Sequence, residues 1–190
     1  WVTTGDRKLS LTEQAPVEPT DAVGTVPLLT IDATQRHQTI VGFGAAITDS
    51  SAHILQSRLN KDQRQALLKE LFGRDGNGLG FSLTRLTIGA SDFSLDHYSL
   101  DDAPGGAPDP ELTHFSVARP AAEVFPTVRE ALSINPDLRT IASPWSAPAW
   151  MKTTGSLVKG QLKDDAYPVY ARFFARYVKA AADHGVPTDY

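Results

Sequence analysis

Ser143-Pro-Trp-Ser-Ala-Pro-Ala-Trp150 sets two tryptophans five residues apart on one proline-stiffened loop. Flat indole faces, each with one N–H, suit stacking on a sugar ring and bonding its hydroxyls. The same rings would equally plug the end of a sheet, and their spacing leaves both roles open. Asp92, beside Phe93, is the second candidate: an ionised carboxylate only accepts, with two oxygens, and can hold two hydroxyls of a polyol. A loop aspartate can also cap backbone N–H groups, so that role stays open too. Arg85 stands inside the β-branched run Gly80-Phe-Ser-Leu-Thr-Arg-Leu-Thr-Ile88. A guanidinium buried on such a strand needs a carboxylate from elsewhere in the fold, whether the pair is structural or catalytic.

Other chemistries are disfavoured by what the chain lacks. With no cysteine, disulfides, thiolate metal sites and cysteine nucleophiles drop out. The histidines at 37, 53, 97, 114 and 184 form no helical pair at ligand spacing, so no metal is expected, and nothing calls for a cofactor. Gly42-Phe-Gly44 lacks the third glycine and the lysine of a phosphate loop, and Gly76-Asn-Gly-Leu-Gly80 precedes a strand, where it makes a turn. No Gly-x-Ser-x-Gly elbow occurs. A net charge of -4 with scattered Lys and Arg gives no basic patch for nucleic acid, and no apolar run is long enough to span a bilayer. Trp1 is not a native start, so a secreted protein whose signal segment precedes the given residues is compatible with the chain.

The elements that must position these residues alternate. Residues 1–35, with clusters such as Val26-Pro-Leu-Leu-Thr-Ile31, read as strands of an accessory unit. From residue 36 the order is strand and helix, three times over. A strand over 38–44 leads into a helix over 45–59, which Asp49 is placed to cap. Asn60 and Gln63 form a capping box, Ala66, Leu67, Leu68, Leu71 and Phe72 supply an apolar face, and Gly73 ends that helix. A strand over 80–88 follows. The aperiodic stretch 94–119 is long enough to be a functional loop and is the one candidate for a disordered linker. A helix over 121–133, a strand over 138–142, the tryptophan loop and a helix over 167–184 complete the series. Alternation of this kind implies an α/β fold with a parallel sheet, open or closed into an eightfold barrel, whose ligand site lies at the C-terminal ends of the strands. The loops after all three strands would meet at that mouth.

Taken together, Gly42-Phe-Gly-Ala-Ala-Ile-Thr-Asp49, Arg85 to Ser94 and Ala142-Ser-Pro-Trp-Ser-Ala-Pro-Ala-Trp-Met-Lys152 resemble glycoside hydrolase family 30, the glucosylceramidase-like enzymes. The resemblance implies the N-terminal part of a (β/α)8 TIM barrel over 36–190, cut before its fourth strand, with 1–35 giving strands to a β-sandwich. It implies retaining hydrolysis of a β-glycoside by two glutamates about 5 to 5.5 Å apart. The proton donor would lie in an Asn-Glu-Pro motif on strand four and the nucleophile further on, both outside these 190 residues. Asp92, Phe93 and Trp145 would then line the glucose subsite, Trp150 would bind sugar or shape the loop from behind, and Arg85 would hold the nucleophile ionised. Glucosylceramide or a similar β-glucoside or glycolipid is the implied substrate, with β-1,6-glucan, β-xyloside or β-fucoside as alternatives. A non-catalytic carbohydrate-binding or scaffold protein is the competing reading of the chain.

Overall fold

The computed structural model describes residues 1–18, 24 and 29–190, in two compact units, Trp1–Thr39 and Ile40–Tyr190. In the first unit Val2 and Thr12 exchange antiparallel bonds of 2.9 and 3.0 Å around a turn that places Arg7 at φ 59°. This isolated bridge is the regular pairing among its described residues. Of the expected Val26–Ile31 strand, residues 26–28 lie outside the described residues, and the remainder is not paired.

The second unit is built on a parallel sheet of three strands in sequence order: β1 (Ala46–Ile47), β2 (Leu83–Ile88) and β3 (Arg139–Pro144). Parallel neighbours need crossovers, and helices supply them: α1 (Asp49–His53) and α2 (Lys61–Phe72) between β1 and β2, then α3 (Ala118–Ala122) and α4 (Val124–Ile134) before β3. Helix α5 (Tyr167–Asp183) follows β3. In α2, Asn60 accepts from the N–H of Gln63 and Gln63 reaches back to the N–H of Asn60, the reciprocal cap its sequence announces. Leu68 and Phe72 are its buried pair, whereas Ala66 and Leu67 face outward. In α5, Val169, Phe173, Tyr177 and Ala181 recur every fourth residue and are all buried. Each large apolar chain so covered contributes about 1.5–3 kcal/mol. Past Val186 the chain turns back along β3. Tyr190 donates to Thr140 O (3.2 Å) and accepts from the N–H of Ala142 (2.9 Å), the slanted pattern of a parallel ladder on the edge of β3 away from β2.

Four expectations change in the structure. The run 38–44 is extended, but regular pairing is confined to Ala46 and Ile47. Both Ser82 and Leu83 donate to the one carbonyl of Phe43 (3.0 and 3.2 Å), so two residues oppose one and the ladder breaks there. Gly44 has no room for a side chain, since a Cβ would sit 1.4 Å from Leu83 O. The helix placed at 45–59 starts only at Asp49. Its cap is Thr48, whose hydroxyl receives the N–H of Ser51, and Asp49 instead lies in the first turn, its carboxylate accepting from Tyr98. The helix then widens to a π-turn over Ile54–Arg58. The helix placed at 121–133 is two pieces broken at Glu123 (φ -137°), because Pro126 has no N–H to continue the ladder to residue 122. Finally, 94–119 is not a disordered linker: Tyr98, Leu100 and Leu112 join the core, and Asp101 and Asp109 are buried with them.

Candidate carbohydrate site

The sheet carries Arg85 to its mouth by register. Arg85 pairs with Ile141 and Thr87 with Ser143, so Arg85 and Ser143 project from one face, and the guanidinium Nε donates to Ser143 Oγ at 2.7 Å. Its carbon lies 5.8 Å from the centre of the Trp145 ring, within cation–π range. Arg85 is half-buried, and among the described residues no carboxylate forms an ion pair with it. The carboxylate partner that the sequence demands is therefore not found here.

Beyond Arg85, the loops after β2 and β3 enclose a hollow of ≈ 430 Å³. Ser91, Asp92 and Tyr98 line it from the loop after β2, Trp145 and Ser146 from the tryptophan loop, and Lys152 with the turn around Val158 from the segment that follows. Asp92 is exposed and accepts no hydrogen bond from the described residues. The capping work falls to its neighbours, as Ser94 Oγ takes the N–H of Ser91 and Ser91 Oγ that of Phe93. Trp145 is 56% exposed, a large apolar face left open in the same hollow as an unpaired carboxylate. An open ring next to a carboxylate with free lone pairs is equipped to stack on a sugar and accept its hydroxyls.

Tyr98 lines the hollow with its ring nearly buried. Burial, then the nearby Asp49 carboxylate that accepts its O–H at 3.3 Å, holds its phenol protonated well above the ordinary range. Phe93 is not part of the lining: its ring is exposed and its carbonyl accepts from Ser50 N at 3.0 Å. Trp150 is separated from the hollow altogether. Its Nε1 donates to Asp101 Oδ2 at 2.9 Å, and its ring borders a different depression with Pro110 and Arg172. Asp101 is fully buried, and among the described residues its Oδ1 has no partner; burial first, then the negative charge of Asp109, pushes it up to about 6. Asp109 goes the other way. Burial acts to raise it, but bonds from the N–H groups and side chains of His114 and Thr113 prevail and hold it well below the ordinary range.

The structure thus joins Arg85, Asp92 and Trp145 and sets Phe93 and Trp150 aside. It also brings in residues that sequence reasoning passed over, namely Tyr98, Ser143, Ser146 and Lys152. The last three sit inside the quoted motif, where a lysine straight after Trp150-Met151 in an apolar loop was the available signal. Two of the histidines are used structurally: His53 Nδ1 bonds Glu123 at 3.1 Å and His114 bonds Asp109 at 3.0 Å.

The model of the glycosyl hydrolase family 30 TIM-barrel domain matches residues 40–188. The endo-1,6-beta-D-glucanase neg1 of Aspergillus fumigatus is 35% identical over 97% of this chain and 41% of its own length. The lysosomal acid glucosylceramidase of Mus musculus is 30% identical over 86% of this chain and 32% of its own. Among solved structures, the endo-beta1,6-glucanase BT3312 superimposes with a TM-score of 0.70 and 35% identity, over 83% of this chain and 35% of that one. The chain thus spans about a third to two fifths of the length of these relatives. The three strands and their helices are accordingly the N-terminal part of a (β/α)8 barrel, and the chain belongs to glycosyl hydrolase family 30.

Proposed function

We propose that the full-length protein is a retaining β-glycosidase acting on a β-glucoside, and that the hollow between Asp92 and Trp145 receives the sugar whose glycosidic bond is cut. Relatives named for a glucosylceramide and for a β-1,6-glucan substrate both support the β-glucosyl part of this reading. We favour a glucosylceramide-like glycolipid, with β-1,6-glucan, β-xyloside and β-fucoside as the other substrates to test. Residues 1–35 would add strands to an accessory β-sandwich, and the protein would be secreted.

The observation that carries the reading is the state of Arg85. A half-buried guanidinium whose contacts are a neutral hydroxyl and an indole face is ready for a carboxylate arriving at the mouth. Such a pair keeps the carboxylate ionised, as a nucleophile must be. In a retaining enzyme that group attacks the anomeric carbon while a second carboxyl protonates the leaving oxygen; water then frees the sugar. Asp92 would hold the sugar hydroxyls, with Trp145 stacked against the ring and Phe93 at the rim.

The test is hydrolysis of an aryl β-glucoside by the full-length protein. Asp92→Ala is expected to cut kcat/KM about a thousandfold, near 4 kcal/mol. An unchanged rate in that variant would remove Asp92 from the sugar site.

A further inference from the structure

Lys152 sits where a lysine is costly. It is 8% exposed, and among the described residues it forms no ion pair. Its ammonium donates to Ser146 Oγ at 3.0 Å and to Leu157 O at 2.9 Å. Taking an ammonium out of water costs several kcal/mol, and two neutral acceptors offset only part of that. A methionine of similar length would fill the space without the penalty.

What the charge holds is the hairpin that starts at Lys152 itself. The base of that hairpin is well bonded: Lys152 and Leu162 pair as an antiparallel bridge, and Thr153 N donates to Gln161 O at 2.9 Å. The tip is not. Gly155 N reaches Lys152 O and Val158 N reaches Ser156 Oγ, both within the hairpin, while Lys159 is held at φ 56° and Gly160 at φ 78°. Among the described residues, the bond from Lys152 Nζ to Leu157 O is the hydrogen bond that anchors the tip. Its other bond ends on Ser146, the residue after Trp145. One buried cation therefore links the tip to the tryptophan loop, and the tip lines the same hollow as Asp92.

We propose that Lys152 is a positioning residue which fixes the 152–162 hairpin as a wall of the sugar hollow, making that hairpin a determinant of how the sugar is held. The proposal rests on the hollow being the sugar site, but the tie itself does not. Charge-assisted bonds at such a tie restrain local opening without adding to the stability of the core.

The experiment compares wild type, Lys152→Met and Ser146→Ala in the full-length protein by limited trypsin cleavage after Lys159, Tm, and steady-state hydrolysis of an aryl β-glucoside. Loss of a charged hydrogen bond predicts cleavage after Lys159 about tenfold faster in Lys152→Met and a few-fold faster in Ser146→Ala, with Tm within about 2 °C of wild type. KM should rise about five- to tenfold in Lys152→Met with kcat within about twofold, the mark of lost positioning and not of lost chemistry. Cleavage unchanged in both variants overturns the tie, whatever the activity. Faster cleavage with KM unchanged overturns the role in substrate positioning. If Lys152→Met does not fold, Ser146→Ala alone decides by the same two readouts. Faster cleavage in a protein with no glycosidase activity would keep the tie and reject the proposed function.

Discussion

The two tryptophans of the Ser143–Trp150 loop share a loop and have opposite fates. Trp145 is left open to solvent, its ring next to an arginine with no carboxylate and an aspartate with no donor. Trp150 is half-buried, and its N–H is spent on a carboxylate that is itself fully buried. Folding has tied off the Trp150 N–H and left the polar groups beside Trp145 open to solvent. Groups left in that state are available to a ligand, and groups tied off hold the loop in shape.

The sharpest way to break this contrast is to truncate each ring. Trp150→Ala removes a large packed side chain and strands Asp101, and should lower unfolding free energy by about 3 kcal/mol in urea titrations. Trp145→Ala should leave stability within about 0.5 kcal/mol of wild type while lowering kcat/KM on an aryl β-glucoside about a hundredfold. Equal stability losses in the two variants would erase the distinction.

A smaller effect tests the buried side through pH. Asp101 is raised by burial, so its protonated form favours the fold. That contribution is complete below the ordinary carboxylate range and is lost as pH climbs to about 6. Asp101→Asn keeps the acceptor for Trp150 without the charge, and should be more stable than wild type by about 1 kcal/mol above pH 7, with less difference near pH 4. Melting curves that run parallel from pH 4 to 8 would show that Asp101 does not titrate in this window. The smallest effect is optical. Acrylamide should quench wild type more than Trp145→Phe, whereas Trp150→Phe should lower emission without lowering accessibility.

Much of the fold was legible because it rests on local chemistry. The Asn60–Gln63 cap, the four-residue spacing in α5 and the β-branched run before Ile88 each state their structure within a few residues. Phe125-Pro126 carried the α3–α4 break in plain sight, but a proline near a helix start is also permitted, so the sequence leaves two outcomes. The first strand was misjudged because Ile40, Val41 and Phe43 have strand propensity while pairing depends on a neighbour. The burial of Leu100, Asp101 and Leu112 was illegible for a related reason: an aperiodic loop takes its inner residues from whatever it lands on. In the site, Asp92 and Trp145 were legible by residue type and by motif. Lys152 lies in the same motif, but what sets it apart is burial, which residue type argues against.

The bonds from Tyr190 to Thr140 and Ala142 fix more than a neighbour. Side chains alternate along a strand, and Arg85, Ile141 and Tyr190 now occupy one row across the sheet. That row sets a parity. Positions an even number of steps from Tyr190 along the same line project toward the face shared by Arg85 and Ser143, and odd ones project away. Adding a single residue between Gly185 and Tyr190 would shift that segment by one position against β3, so its own side chains would exchange faces while Arg85 and Ile141 kept theirs.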